Sequence, residues 1–191
     1  MKTIDLKGYY RNQTGKEANG RIRKDGWVPC ELYGGGENVH FAAFIADFKQ
    51  IVYTPNTYTV KIDIEGTTHA AVIKEVQFNP LNEEIIHVDF VRVQEDKPMK
   101  IKLPIHYVGN SIGVREGGKL IKKLRFLNVK GLAKNMPAAI EVDISEIGLG
   151  KSIRVSDIKV ENLEVLNAPA IPVASVSVPR SLKGDETPAK K

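Results

Sequence analysis

Polar and apolar residues alternate over Thr3 to Lys7 and again over Thr57 to Ile64, where Tyr58, Val60, Ile62 and Ile64 fall on one face. Both segments predict half-buried strands. Glu65-Gly66 offers a tight reversal into Thr67 to Phe78, so residues 57 to 78 predict a hairpin, and another strand follows over Ile85 to Val93. Two short helices are predicted. One runs from Glu17 to Asp25 and stops at Gly26; the other runs from Ala46 to Tyr53, before Pro55, with Phe44, Phe48, Ile51 and Val52 at near-helical spacing.

The polar stretch Gln94-Glu95-Asp96-Lys97-Pro98 interrupts this pattern, which places a domain boundary between residues 1–95 and 96–179. Beyond it Ile101, Leu103, Ile105 and Tyr107 share one face of a strand, and Pro104 suggests a sheet edge or a bulge. Shorter β-like runs follow at Leu124 to Val129, Ala139 to Ile144, Ser152 to Val155, Glu164 to Leu166 and Ile171 to Val178. Residues 180–191 are polar and end in Lys190-Lys191, which predicts a disordered tail. The expected class is mainly β with short helices, a β-rich α+β protein.

Length and composition narrow the class further. A chain of 191 residues, 42% hydrophobic and 27% charged, is long enough to bury a core in one large domain or two small ones. The first ten residues contain no apolar block suited to a secretory signal, so export is not expected. The charge-free stretch Leu166 to Pro179 is 14 residues long and holds three prolines, so no membrane partner is expected. One cysteine, Cys30, forms no internal disulfide and fits a reducing, cytoplasmic setting.

Charge is unevenly spread. Residues 96–191 hold 17 Lys and Arg against 10 Asp and Glu, a net +7, whereas residues 1–95 hold 11 against 13, a net −2. Within that acidic half, residues 1–24 carry seven cations against Asp5 and Glu17, a local +5. Such a cluster favours polyanions, because each cation placed against a phosphate releases condensed counterions. A solvated helix face is the plainer explanation of the same charges.

The most conspicuous catalytic motif is Gly109-Asn110-Ser111-Ile112-Gly113, a match to the G-x-S-x-G nucleophile elbow. Its context disagrees. The residues after it make a poor helix start, and His40, His69, His87 and His106 all precede Ser111, whereas that fold needs its histidine after the serine. A glycine-rich turn and no enzymatic role are expected. Gly34-Gly35-Gly36 lacks the residues of a phosphate-binding loop and predicts a turn between two strands with positive φ. The histidines and Cys30 have no ligand spacing, so no metal and no cofactor are expected.

In Ile86-His87-Val88-Asp89-Phe90-Val91-Arg92, alternation places His87 and Asp89 on one face, opposite Val88 and Phe90. The pair is either a mutual structural contact or an RNA contact, since a carboxylate accepts from a base amino group or ribose hydroxyl and an imidazole stacks or donates to phosphate. Gln77 adds an amide able to donate and accept at once.

Four blocks in this order resemble a known family: Arg11 to Arg23 (R-N-Q-T-G-K-E-A-N-G-R-I-R), Val28 to Gly34 (V-P-C-E-L-Y-G), Val76 to Pro80 (V-Q-F-N-P) and His87 to Phe90 (H-V-D-F). The chain resembles the bacterial large-subunit ribosomal protein numbered twenty-five, in its longer two-domain form also called general stress protein CTC. The second half is similar to that family's extension domain through Pro104, Gly117-Gly118, Met136-Pro137, Val142-Asp143-Ile144 and Val155 to Ile158.

The resemblance implies a 5S rRNA-binding domain over residues 1–95, built as a six-stranded β-barrel, followed by a β-rich extension domain. It assigns Arg11, Lys16, Asn19, Arg21 and Arg23 to the RNA backbone and groove, with Tyr33 and Gly34 near the same surface. Gln77, His87, Asp89 and Arg92 supply the second half of the footprint. It also implies a cytoplasmic, ribosome-associated protein, monomeric off the ribosome, whose second domain reaches neighbouring ribosomal RNA or protein. Gly20 and Phe78 depart from the family pattern, each standing where a basic residue is common. An alternative from another class is a stress-linked adaptor that binds a protein partner through the second domain. Trp27, in Asp25-Gly26-Trp27, is expected in a loop, packed under the first helix or stacked on a base.

Overall fold

The alternating segments of the first hundred residues become the staves of a closed barrel. Its strands are β1 (Thr3–Tyr10), β2 (Trp27–Tyr33), β3 (Val39–Phe44), β4 (Thr59–Ile64), β5 (Thr67–Phe78) and β6 (Ile85–Arg92), in the order β1-β3-β2-β6-β5-β4. The computed structural model describes residues 2–94 and 96–179; the predicted tail at 180–191 lies outside them.

Two parallel pairings make closure possible. Strand β1 runs beside β4, with Leu6 opposite Ile62, and β2 runs beside β6, with Leu32 opposite Phe90. Inward positions fill the lumen with Leu6, Val28, Cys30, Leu32, Phe41, Val60, Ile62, Ile64, Val88 and Phe90, all at most 1% exposed. Phe90 lies 5.7 Å from the Phe41 ring and 6.5 Å from that of Phe48. Gly8 is required where β1 passes Phe41, since a Cβ there would sit 2.6 Å from the ring.

The hairpin joining β4 to β5 turns as expected through Glu65 and Gly66, with φ of 48° and 91°. Both central residues are left-handed, as a primed turn requires. The Asp63 carboxylate accepts from the Gly66 amide at 3.0 Å and steadies the turn.

Helix α1 (Lys16–Lys24) begins one residue before its expected start. The helix expected over 46–53 divides instead into a 3₁₀ turn, Ile45–Phe48, and one α-turn, α2 (Lys49–Val52). The Ile45 amide donates to the Gly26 carbonyl at 3.0 Å, so this chain segment is still tied to the sheet where a longer helix would begin. Phe48 and Ile51 nevertheless face the core, as their spacing predicts.

The described residues divide into two units, one holding residues up to 102 together with 130–138, the other 103–129 and the residues from 139 onward. The second half contributes β7 (Met99–Val108), α3 (Ile112–Arg115), β8 (Lys119–Lys122), β9 (Phe126–Gly131), β10 (Ile140–Asp143), β11 (Ser152–Arg154), β12 (Glu164–Val165) and β13 (Pro172–Ser177). These form a four-stranded sheet, β10-β7-β9-β12, and a three-stranded sheet, β11-β13-β8. Among the described residues β7 is therefore internal, not the edge that Pro104 suggested. Its parallel pairing with β10 starts at Ile105, one residue past the proline, so the missing N–H removes no bond on that side.

Ser111 is 1% exposed and its hydroxyl donates to the Ile147 carbonyl at 2.5 Å. A helical turn, α3, does follow it, contrary to the sequence expectation. Its hydroxyl is nevertheless turned into the fold and held there. Gly113 explains the motif's second glycine: a Cβ would lie 2.6 Å from backbone atoms of Gly148 and Leu149.

Candidate nucleic-acid interface

Strand alternation sends the odd-numbered residues of β2 and β6 to the outside of the barrel. Glu31 lies opposite Asp89 and Tyr33 opposite Val91 across β2 and β6; Gln77 lies opposite His87 and Glu75 opposite Asp89 across β5 and β6. One outer wall therefore gathers Tyr33, Gln77, His87 and Asp89, which the sequence spreads over 57 positions. His87 Nδ1 and Asp89 Oδ1 are 2.7 Å apart. The approach is off the ring N–H axis, so the two groups form a close polar contact rather than a hydrogen bond.

Helix α1 packs against β2 beside this wall. Its cations Arg21, Arg23 and Lys24 occupy the last turn, where they complement the negative end of the helix dipole, and Glu17 complements the first turn. The Arg23 Nε donates to the Ile86 carbonyl at 2.9 Å, which tethers the end of α1 one residue from His87. Arg11 Nη1 donates to the Asn19 Oδ1 at 2.5 Å, and the Arg11 amide donates to the His40 carbonyl at 3.0 Å. Burial lowers the pKa of both Arg11 and Arg23, yet a guanidinium stays charged at neutral pH. Lys16 and Arg21 border an open depression shared with Asn12, Gln13 and Thr14.

Arg92 is placed differently. Its Nη1 donates to the Glu37 carbonyl at 2.8 Å and the Gly34 carbonyl at 3.3 Å, so it braces the loop between β2 and β3. That loop turns through Gly34 and Gly35 with φ of 89° and 71°, as the glycine run predicts. Gly34 thus borders the wall through its backbone. Trp27 belongs to β2 rather than to a loop, and its ring packs edge-on between Tyr9, at 5.3 Å, and Phe44, at 5.6 Å.

Sequence reasoning missed Lys74. Its ammonium lies 5.0 Å above the Tyr33 ring, and hydrogen bonding to Tyr33 raises its pKa, so it adds a fixed cation to the wall. A bulge puts it there: Ile73 pairs with Phe90 and Glu75 with Asp89, leaving Lys74 as the extra residue. The break in alternation at Ala71-Val72-Ile73-Lys74-Glu75-Val76 is the signal that could have found it. Among the described residues no group of three or more His, Cys, Asp or Glu is placed to hold a metal ion.

A cationic helix beside a few directed polar groups on a closed barrel is an arrangement suited to RNA, and defines a class of β-barrel proteins built for a polyanion. Residues 6–90 match the model of the Ribosomal L25p family, and residues 98–180 match that of the C-terminal domain of ribosomal protein TL5. Three relatives bear the name Large ribosomal subunit protein bL25. The one from Cytophaga hutchinsonii is 43% identical over all of both chains, and that from Amoebophilus asiaticus is 43% identical over all of this chain and 97% of its own. The one from Bacteroides thetaiotaomicron is 38% identical over all of both chains. The chain belongs to the Ribosomal L25p family, in the two-domain form. It is a ribosomal protein, structural rather than catalytic, and its place is the ribosome in the bacterial cytoplasm.

Proposed function

We propose that this protein is a structural component of the large ribosomal subunit that binds 5S rRNA through the outer wall of its barrel. Helix α1 and Arg11 contact phosphates and orient the complex, while Gln77, His87 and Asp89 read groups at the distorted part of an RNA helix. The observation that carries this reading is the tether from Arg23 to the Ile86 carbonyl, which fixes the cationic helix beside the His87–Asp89 pair. A-form RNA offers side chains a wide, shallow minor groove with 2′-hydroxyls, so cations supply affinity and the directed groups supply choice. Glu31, Glu75 and Asp89 on the same wall weaken generic attraction to polyanions, which favours selection by fit. The adaptor alternative draws no support from the relatives, whose shared name is ribosomal.

The test is a titration of the full chain with 5S rRNA and with a plain RNA duplex of equal length at two salt concentrations. Selective binding to 5S rRNA is expected at both. Equal affinity for the two RNAs would sink the proposal.

A further inference from the structure

Charge in the second unit is sorted by chain segment. Residues 103–129 hold five Lys and Arg against Glu116 alone, whereas residues 139–179 hold six Asp and Glu against three cations. In the three-stranded sheet β8 forms one edge and β11 the other, with β13 between them. A depression beside β10 and β11 is lined by Glu141, Asp143, Glu146 and Asp157 together with Lys151 and Lys159, so cations there already face carboxylates. The β8 edge and the turn after it carry Lys119, Lys122, Lys123 and Arg125, all exposed. Among the described residues none of these four is ion-paired.

The cationic turn is held in place by its backbone. The amides of Lys123 and Leu124 both donate to the Val173 carbonyl, at 2.9 and 3.1 Å. The Tyr107 hydroxyl donates to the Leu124 carbonyl and lies 3.1 Å from that of Val173. The Lys122 ammonium sits 5.2 Å above the Tyr107 ring. Phe126, next to Arg125, is 55% exposed and offers a face on which a base can stack. Four uncompensated cations on a fixed backbone beside an exposed aromatic ring are suited to a nucleic-acid backbone, because little ordering is needed on binding.

We propose that the β8 edge, with Lys119, Lys122, Lys123, Arg125 and Phe126, is a second RNA-binding site that takes phosphates without regard to sequence. The choice of RNA as ligand rests on the ribosomal reading above, but the site uses no residue of the barrel wall.

The full chain carrying Lys119→Gln, Lys122→Gln, Lys123→Gln and Arg125→Gln is compared with the unsubstituted chain on a plain RNA duplex across a salt series. The logarithmic salt slope is expected to become shallower by roughly 3, at about 0.7–0.9 per phosphate contact, with the preference for 5S rRNA retained. A companion with Glu141→Gln and Glu146→Gln is expected to bind no more weakly than the unsubstituted chain. Should the fourfold change disturb folding, Lys122→Gln with Lys123→Gln alone is expected to flatten the slope by roughly 1.5. An unchanged slope in a folded variant would overturn the proposal and direct attention to an acidic protein surface. Loss of 5S preference in the unsubstituted chain, with the fourfold effect on duplex intact, would strike the barrel reading and leave this one standing.

Discussion

Asp89 has three neighbours of two kinds, the His87 imidazole at 2.7 Å and the opposing carboxylates Glu31 and Glu75. It adds negative charge, so it cannot supply general attraction to RNA; in the proposed complex its use is to accept hydrogen bonds at one geometry. Asp89→Ala is therefore expected to erode discrimination between 5S rRNA and plain duplex by about 10-fold, while duplex affinity holds or rises. Competition binding with both RNAs measures this, and equal loss on both would contradict the assigned role. Gly20 lies inside α1 and a Cβ built there meets nothing within 4 Å. Gly20→Ala should stabilise the fold by about 0.5–1 kcal/mol in denaturant titration, and Gly20→Arg should in addition tighten RNA binding. Phe78 instead pairs with the Tyr53 ring at 6.3 Å.

His69 supplies the pH dependence that belongs to a single residue. Burial, with Arg92 adding to it, pushes the imidazole below its ordinary value, and its Nε2 is buried without a hydrogen-bond partner. The folded state therefore prefers the neutral ring. The unfolded chain takes up the proton first as pH falls through about 6.5, so the associated stability is full above that pH and is lost below it. Lowering pH from 7.5 to 5.0 should therefore reduce Tm through this group. His69→Gln should remove that share of the drop in thermal scans at the two pH values.

Among the elements, α1 supplies most of the cations of the proposed interface. It buries no residue completely, so it is held by the Arg23 and Arg11 bonds and by packing on β2 rather than by a hydrophobic face. Arg21→Ala with Arg23→Ala is expected to weaken binding to every RNA by roughly 10-fold or more, since both phosphate contact and helix position are lost. Affinities for 5S rRNA and duplex should fall together; a loss confined to 5S rRNA would argue against it. The β4–β5 hairpin was legible in the sequence because local alternation and a Glu-Gly turn agree. Strand β8 was not. Its four residues include only Leu120 as a partly buried apolar position, and its structure depends on β13, more than fifty residues away. Similarly, the parallel pairs β1–β4 and β2–β6 leave no periodic trace, and the barrel was anticipated only through the family resemblance. The outer-wall residues could be named from the sequence, but their meeting on one wall, and the arrival of Lys74 there, depended on register and a bulge.

At the scale of the whole molecule, net charge misleads, because an acidic first half carries the proposed specific site and a basic second half carries the second. With the four cations of the β8 edge neutralised, Arg11, Lys16, Arg21, Arg23 and Lys24 alone should give a salt slope of roughly −3.5 to −4.5 on 5S rRNA. A slope near zero in that variant would mean that the barrel binds without phosphate contacts.

The barrel's two parallel seams also set a schedule for synthesis. The cations of residues 11–24 are made early, but the strand that anchors Arg23 and carries His87 and Asp89 spans Ile85–Arg92. At about 5–20 residues per second, some 60 further residues take roughly 3–12 seconds. During that interval a growing chain holds the charges that attract RNA without the wall that chooses among RNAs. On the reading proposed above, selectivity arrives only with β6, and the molecule acquires its capacity to bind before its capacity to discriminate.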